Sequence, residues 1–204
     1  MSRRNVSKDE LIAVWLQREF EGNWNRYIRE IAAVICPSLT KDQCLRIVSN
    51  PNYQNVEENY LRFRFAEFRY PLLQPICVGN WYEENLSLDD FKSLRVIARD
   101  PSWIVLSNNT GELSVVAECI FNSSIRNPTP DTHNIIDAVN IIRENGIDKR
   151  LFLIQSDDSR HVTILEGNKS AVALYIKHFL DRESEYEPFK VFKGHLNYKS
   201  FWQW

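Results

Sequence analysis

From Lys8 onward the apolar residues Leu11, Ile12, Trp15, Leu16 and Phe20 recur at intervals of three and four, which is the spacing of one face of a helix. Ser7 and Glu10 stand just ahead of that run as a capping box, the serine placed to accept a first-turn amide. Gly22 breaks the run, and Trp24, Tyr27, Ile28, Ile31 and Ile35 outline a second helix ending before Pro37. Thr40 and Gln43 form another capping box, opening a short helix with Cys44, Leu45, Ile47 and Val48 that stops at Asn50-Pro51. Residues 1–50 therefore predict a helical subdomain whose Trp and Ile stripe is core.

The run LRFRFAEFRY, ending at Tyr70, alternates apolar and basic at first and then loses the pattern, so strand and helix both fit. Glu57 and Glu58 suit a first turn and favour the helix. Arg62, Arg64 and Arg69 with interleaved Phe read as a solvated face on an apolar back rather than a nucleic-acid patch, because Glu57, Glu58 and Glu67 offset the charge. Ser87 with Asp90 caps a helix expected to reach about Ala98, closed by Asp100-Pro101. Residues 103–106, WIVL, and 112–121, ELSVVAECIF, flank the turn-rich Ser107–Gly111 and predict a hairpin. After the loop Asn127–Pro130, Asp131 or Thr132 can cap a helix with Ile135, Ile136, Val139 and Ile142 on one face and a left-handed stop at Gly146. Strands follow at LFLIQ (151–155) and HVTILEG (161–167), joined through Ser156–Ser159. Asn168 is the expected N-cap of a helix carrying Ala171, Val172, Leu174, Tyr175 and Phe179, and PFKVF (188–192) is a last strand before the aromatic tail FWQW. The fold class expected is α+β, with residues 1–100 mostly helical and residues 101–204 forming a mixed sheet with helices.

Composition narrows the function classes. The 204 residues are 44% hydrophobic and 25% charged, values of an ordinary folded chain. A net charge of -2 supplies no global field for nucleic acid or anionic lipid, so neither is an expected partner. No apolar run approaches the roughly 18 residues of a membrane span, and the start MSRRNVSKDE lacks the apolar core of a secretory signal. A cytoplasmic location is expected. Four dispersed cysteines without a CxxC pair read as small buried hydrophobes of a reducing compartment. Four dispersed histidines with no HExxH offer no resident metal site.

Candidate chemistry concentrates at Leu165-Glu166-Gly167-Asn168-Lys169-Ser170, where an apolar strand passes through a glycine into a helix. The first amides of a helix lack internal partners and its dipole makes that end electropositive. With a close-approach glycine and Lys169 in the first turn, this is a candidate anion or phosphate seat. It is not a Walker A loop, since Thr163 and Asn168 stand where the two glycines belong.

The order of elements resembles the ParB/sulfiredoxin-like superfamily. The matching stretches are IIRENGIDKRLFLIQ (141–155), with its R-E-N-G run, and HVTILEGNKSAVAL (161–174), in the place of the G-x-x-R box; the likeness covers about residues 115–195. The resemblance implies that the box seats nucleotide phosphates, ATP, ADP or CTP with Mg2+, on the helix N-terminus. It implies contacts from Gly167, Asn168, Lys169 and Ser170, with the turn of Glu144, Asn145 and Gly146 facing the nucleotide. The box arginine is here Ser170, which gives no charged bidentate contact, leaving Lys169 or Arg160 as substitute point charges and His161 as a further candidate. Sulfiredoxins need a nucleophilic cysteine inside the box, and none is present; partition-type ParB proteins need a DNA-binding region beyond it, and only about 30 residues follow. The small-molecule branch, which includes free-serine kinases, remains. There an acidic residue precedes the glycine as Glu166 does, which would act as base toward a substrate hydroxyl or hold magnesium. The expected function is a nucleotide-dependent small-molecule phosphotransferase or nucleotide hydrolase. The alternative is a non-catalytic ligand-sensing or protein-interaction module, with the C-terminal aromatic tail, Phe201-Trp202-Gln203-Trp204, as a docking segment or as a lid packed on its own domain.

Overall fold

The computed structural model describes residues 3–21, 30, 34, 38–50, 52–67, 73–97, 100–125, 128–147, 150–157, 160–182 and 184–196. The chain separates into two compact units, Asn5–Trp81 and Met1–Arg4 with Tyr82–Trp204. Secondary structure is mixed: among the described residues there are helices throughout and one five-stranded sheet.

The first unit is helical, with α1 (Lys8–Glu21), α2 (Lys41–Ser49), α3 (Val56–Glu67) and α4 (Leu73–Val78). Both expected caps form, because each is satisfied within its own turn. Ser7 Oγ accepts the Glu10 amide at 3.1 Å, and Thr40 and Gln43 exchange reciprocal bonds at 2.8 and 3.3 Å. Leu11, Ile12, Trp15 and Leu16 of α1 are buried with Cys44, Ile47 and Val48 of α2 and Phe65 and Ala66 of α3. The helix expected over 24–35 lies outside the described residues apart from Glu30 and Val34.

LRFRFAEFRY is helical through Glu67, but Arg62 belongs neither to a solvated face nor to a nucleic-acid patch. It is fully buried. Its guanidinium donates to the Ile47 carbonyl at 3.0 Å, to Asn59 Oδ1 at 2.8 Å and to Glu58 Oε2 at 2.9 Å. Helical spacing puts Arg62 on the side of Phe65 and Ala66, and those three bonds offset the desolvation of its charge. Arg64 is exposed and pairs with Glu67, while Arg69 lies outside the described residues.

The second unit holds most of the sheet. Its strands are β2 (Asn80–Leu86), β3 (Phe152–Ser156), β4 (Thr163–Glu166) and β5 (Phe189–Leu196), and β1 (Arg4–Val6) completes the order β1-β2-β5-β3-β4. β3 and β4 are the expected antiparallel hairpin, while β5 runs parallel to β3. Leu151, Phe152, Leu153 and Ile154 are wholly buried, an unbroken apolar run, as a strand covered on both faces requires.

Helices α5 (Leu88–Lys92), α6 (Pro101–Leu106), α7 (Leu113–Phe121), α8 (Pro130–Asn145) and α9 (Asn168–Tyr175) accompany the sheet, α9 continuing as a π-helical turn over Ile176–Leu180. The expected hairpin over 103–121 is overturned, since both of its arms are helices. Asp100 caps α6 by accepting the Ser102 amide at 2.8 Å, and Pro101 sits in the first turn, where its missing N–H costs nothing. In α7 the buried residues include Leu113, Val116, Ala117 and Ile120, a helical stripe hidden in an almost wholly apolar run. Asn108 and Asn109 take left-handed backbone between the two helices.

Three smaller expectations are corrected. α5 stops at Lys92 rather than near Ala98, because residues from Leu94 leave the helix to pair elsewhere. α8 is capped by Thr129, with Thr132 as the reciprocal partner, rather than by Asp131 or Thr132. Cys44 and Cys119 are buried, but Cys77 is exposed. No helix among the described residues is long and apolar enough to cross a membrane.

Candidate functional site

β4 ends at Glu166, and Gly167 turns the chain into α9 with φ +97° and ψ 18°, a left-handed conformation that strains any residue with a Cβ. The helical ladder opens at once, the Ala171 amide donating to the Gly167 carbonyl at 2.9 Å. Gly167, not Asn168, is therefore the N-cap, and having no side chain it gives the first turn no cap of its own. A β-bulge lies next to this junction. Phe152 stands opposite Glu166 while Leu153 stands opposite Ile164, so β4 carries one extra residue just where it re-aims Glu166.

Glu166 is half-buried, and its carboxylate accepts the Gly167 amide at 2.9 Å. That contact holds a negative group at the positive end of α9. Lys169 is half-buried on the first turn, and Ser170 is buried at 3% exposure. Asn168 is also buried. Its Oδ1 accepts the Ile97 amide at 3.2 Å, and its Nδ2 donates to the Ile164 carbonyl at 3.4 Å. The carboxamide is a fastener between segments, and no single-sequence signal announces it, because Ile97 is 71 residues away.

The segment so fastened runs along the outer side of β4. The Arg95 amide donates to Val162 at 2.9 Å and the Ile164 amide donates to the Arg95 carbonyl at 2.8 Å. On its other side the Val96 amide reaches Gly111 at 2.9 Å, and the Leu113 amide reaches Leu94 at 3.0 Å. The Arg95 guanidinium donates to the Thr110 carbonyl at 2.6 Å. Residues 94–97 thus close the edge that β4 would otherwise expose. Against them, Thr163 Oγ1 is buried with no hydrogen-bond partner among the described residues.

The remaining candidates are distributed over both ends of the sheet. Glu144 and Asn145 are exposed at the end of α8, where Asn145 donates to the Ile141 carbonyl at 3.1 Å. Gly146 has φ +113°, and a Cβ built there meets nothing within 4 Å, so backbone conformation alone asks for glycine. The chain beyond it re-enters the sheet at Phe152, opposite Glu166, and so leads to the end that carries the seat. Arg160 and His161 are exposed before β4 begins, at the opposite end of that strand from Glu166. The ends of β4 are about 10 Å apart at strand rise, so neither residue joins the start of α9 from its own position in the hairpin. His195 pairs in register with Gln155, also at the far end. The aromatic tail lies outside the described residues.

Among the described residues no three His, Cys, Asp or Glu side chains group as metal ligands. The arrangement can offer helix-terminal amides, one adjacent carboxylate and one lysine to a small anionic ligand. Comparison of the chain with protein-family models, with curated proteins and with solved structures returns no match.

Proposed function

We propose that this chain binds a nucleotide at the start of α9 and acts as a ParB-like small-molecule phosphotransferase or nucleotide hydrolase. The observation that carries the reading is the passage of β4 through left-handed Gly167 into α9, with the Glu166 carboxylate held 2.9 Å from the Gly167 amide. Phosphate oxygens would take the amides of the first turn, and Lys169 would supply a point charge. Glu166 would act on a substrate hydroxyl or an attacking water as a base, or hold the magnesium that accompanies the phosphates. The antiparallel hairpin followed by a crossover helix to a parallel strand supports the resemblance at the level of element order.

One observation favours a second reading, a ligand-sensing or partner-binding module without catalysis. Ser170 is buried and the Asn168 carboxamide is committed to Ile97 and Ile164, so two of the four box residues turn inward. The test is a thermal-shift series with ATP, ADP and CTP, each with and without magnesium, followed by a turnover assay on any nucleotide that stabilises. Binding at 100 times Kd raises stability by about 2.7 kcal/mol. A shift with turnover that Glu166→Ala abolishes supports the enzyme; a shift without turnover supports the sensor. No shift at millimolar concentration removes the nucleotide enzyme and the nucleotide sensor and leaves the partner-binding module.

A further inference from the structure

Far from the anion seat, β1, β2 and β5 lie side by side and carry a mixed cluster of charges and rings. The Arg3 guanidinium sits over the Tyr82 ring, 3.4 Å from its centroid, and its Nε is 3.5 Å from Glu84 Oε2. His195 meets the same ring at 77°, with centroids 5.9 Å apart. Lys193 Nζ lies 3.7 Å from the other Glu84 oxygen, so that one carboxylate bridges two cations, one from β5 and one just ahead of β1. Asp157, whose amide donates to the Leu196 carbonyl at 3.1 Å, adds a second carboxylate near the imidazole. Gln155 stands beside His195 in the ladder and is neutral. Among the described residues, the charged and titratable groups around the imidazole are thus Arg3, Lys193, Glu84, Asp157 and the Tyr82 phenol.

We infer that the N-terminal segment is a proton-linked clasp, in which protonation of His195 loosens the docking of Arg3 on Tyr82 and Glu84. A third positive charge would enter a site that already holds two cations against two carboxylates and has lost part of its water. Burial holds the His195 imidazole below the usual histidine range; Lys193 and Arg3 push it further down, while Glu84 and Asp157 pull it back. Linkage makes the effect reciprocal. If docked Arg3 lowers the affinity of the imidazole for a proton, the bound proton lowers the docking of Arg3 by the same factor.

Arg3 is the group that yields, because its side chain is 45% exposed and has a path to water, whereas the Lys193 side chain is 14% exposed. Arg4 faces a different carboxylate, Glu83, at 3.2 Å, shared with Lys190 at 3.1 Å. That pair holds the neighbouring position when Arg3 leaves. Mild acid would therefore uncover one face of the Tyr82 ring and free one side of Glu84 without unfolding the sheet.

The test is an NMR titration from pH 8 to pH 4.5, following the His195 imidazole and the Arg3 side-chain nitrogen in the full chain. In the native protein the Arg3 signal is expected to move with the His195 midpoint, and in His195→Gln that movement is lost. In Arg3→Gln the His195 midpoint is expected to rise. Equal midpoints in the native protein and Arg3→Gln overturn the inference, as does an Arg3 signal that moves unchanged in His195→Gln. Arg3→Gln alters a half-exposed position and keeps the test open should His195→Gln not fold.

Discussion

Replacing Asn168 by alanine separates a fastening role from a ligand-contact role at the candidate seat. In the native protein its Oδ1 accepts the Ile97 amide at 3.2 Å and its Nδ2 reaches the Ile164 carbonyl at 3.4 Å, with the residue 9% exposed. Alanine leaves the Ile97 amide buried without that acceptor, which costs about 1–3 kcal/mol. The longer bond adds about 0.5 kcal/mol, so the total is about 1.5–3.5 kcal/mol. For a chain of this size that is a fall of roughly 5–10 °C in the melting temperature of the sheet unit. Asn168→Asp keeps an acceptor for Ile97, loses the donor to Ile164 and places a negative charge in the first turn of α9, worth about 0.3–1 kcal/mol. Because that charge is buried and its second oxygen faces the Ile164 carbonyl, desolvation and repulsion exceed the dipole gain, and this variant should lose at least as much as alanine. The assay is thermal unfolding of the three proteins together with amide hydrogen exchange at Ile97, which should quicken in the alanine variant. An alanine variant melting within about 1 °C of the native protein, with Ile97 equally protected, would refute the reasoning. If that variant also lost a nucleotide-induced shift, Asn168 would be a ligand contact instead.

Three further outcomes are expected. Thr163→Val removes a buried hydroxyl that has no partner while keeping the shape, and should stabilise the fold by about 1 kcal/mol in urea denaturation; a loss of stability would mean the hydroxyl is satisfied in solution. Arg62→Met leaves Glu58, Asn59 and the Ile47 carbonyl without their shared donor and should cost about 3 kcal/mol, the low end for a broken buried pair because Arg46 still meets Glu58 at 3.2 Å. The double variant Arg62→Met/Glu58→Leu should recover part of that loss in the same urea experiment; equal losses in single and double variants would contradict the desolvation account. Burial, with Asp90 nearby, pushes the Tyr186 phenol up to about 12, and its hydroxyl donates to the Leu86 carbonyl at 2.8 Å. The folded state keeps a proton that the unfolded chain releases near pH 10, so stability should fall as the pH rises from 10 towards 12. Tyr186→Phe should flatten that slope in unfolding curves collected across the alkaline range.

What the sequence determined is what neighbours along the chain can settle among themselves. The Ser7 cap and the Thr40 capping box close within one turn, so their partners stand three residues away and are visible in the letters. The same holds for the passage from β4 through Gly167 into α9, where a short apolar strand meets a residue able to take φ +97°. Packing decided the rest. WIVL and LSVVAECIF are runs too apolar to show a period, and β-branched residues weight them towards strand. They fold as helices because Asp100 and Pro101 start one and because Leu94–Ile97, just ahead of them and far in sequence from β4, takes the pairing beside that strand. Arg62 reads as a surface charge until α3 turns it inward upon three acceptors, and Asn168 reads as a cap until Ile97 arrives at its side chain. A charge or an amide goes inside only where partners meet it; Glu58, Asn59 and Ile164 stand within four residues, but the Ile47 carbonyl and the Ile97 amide come from elsewhere in the chain and leave no trace in a local pattern.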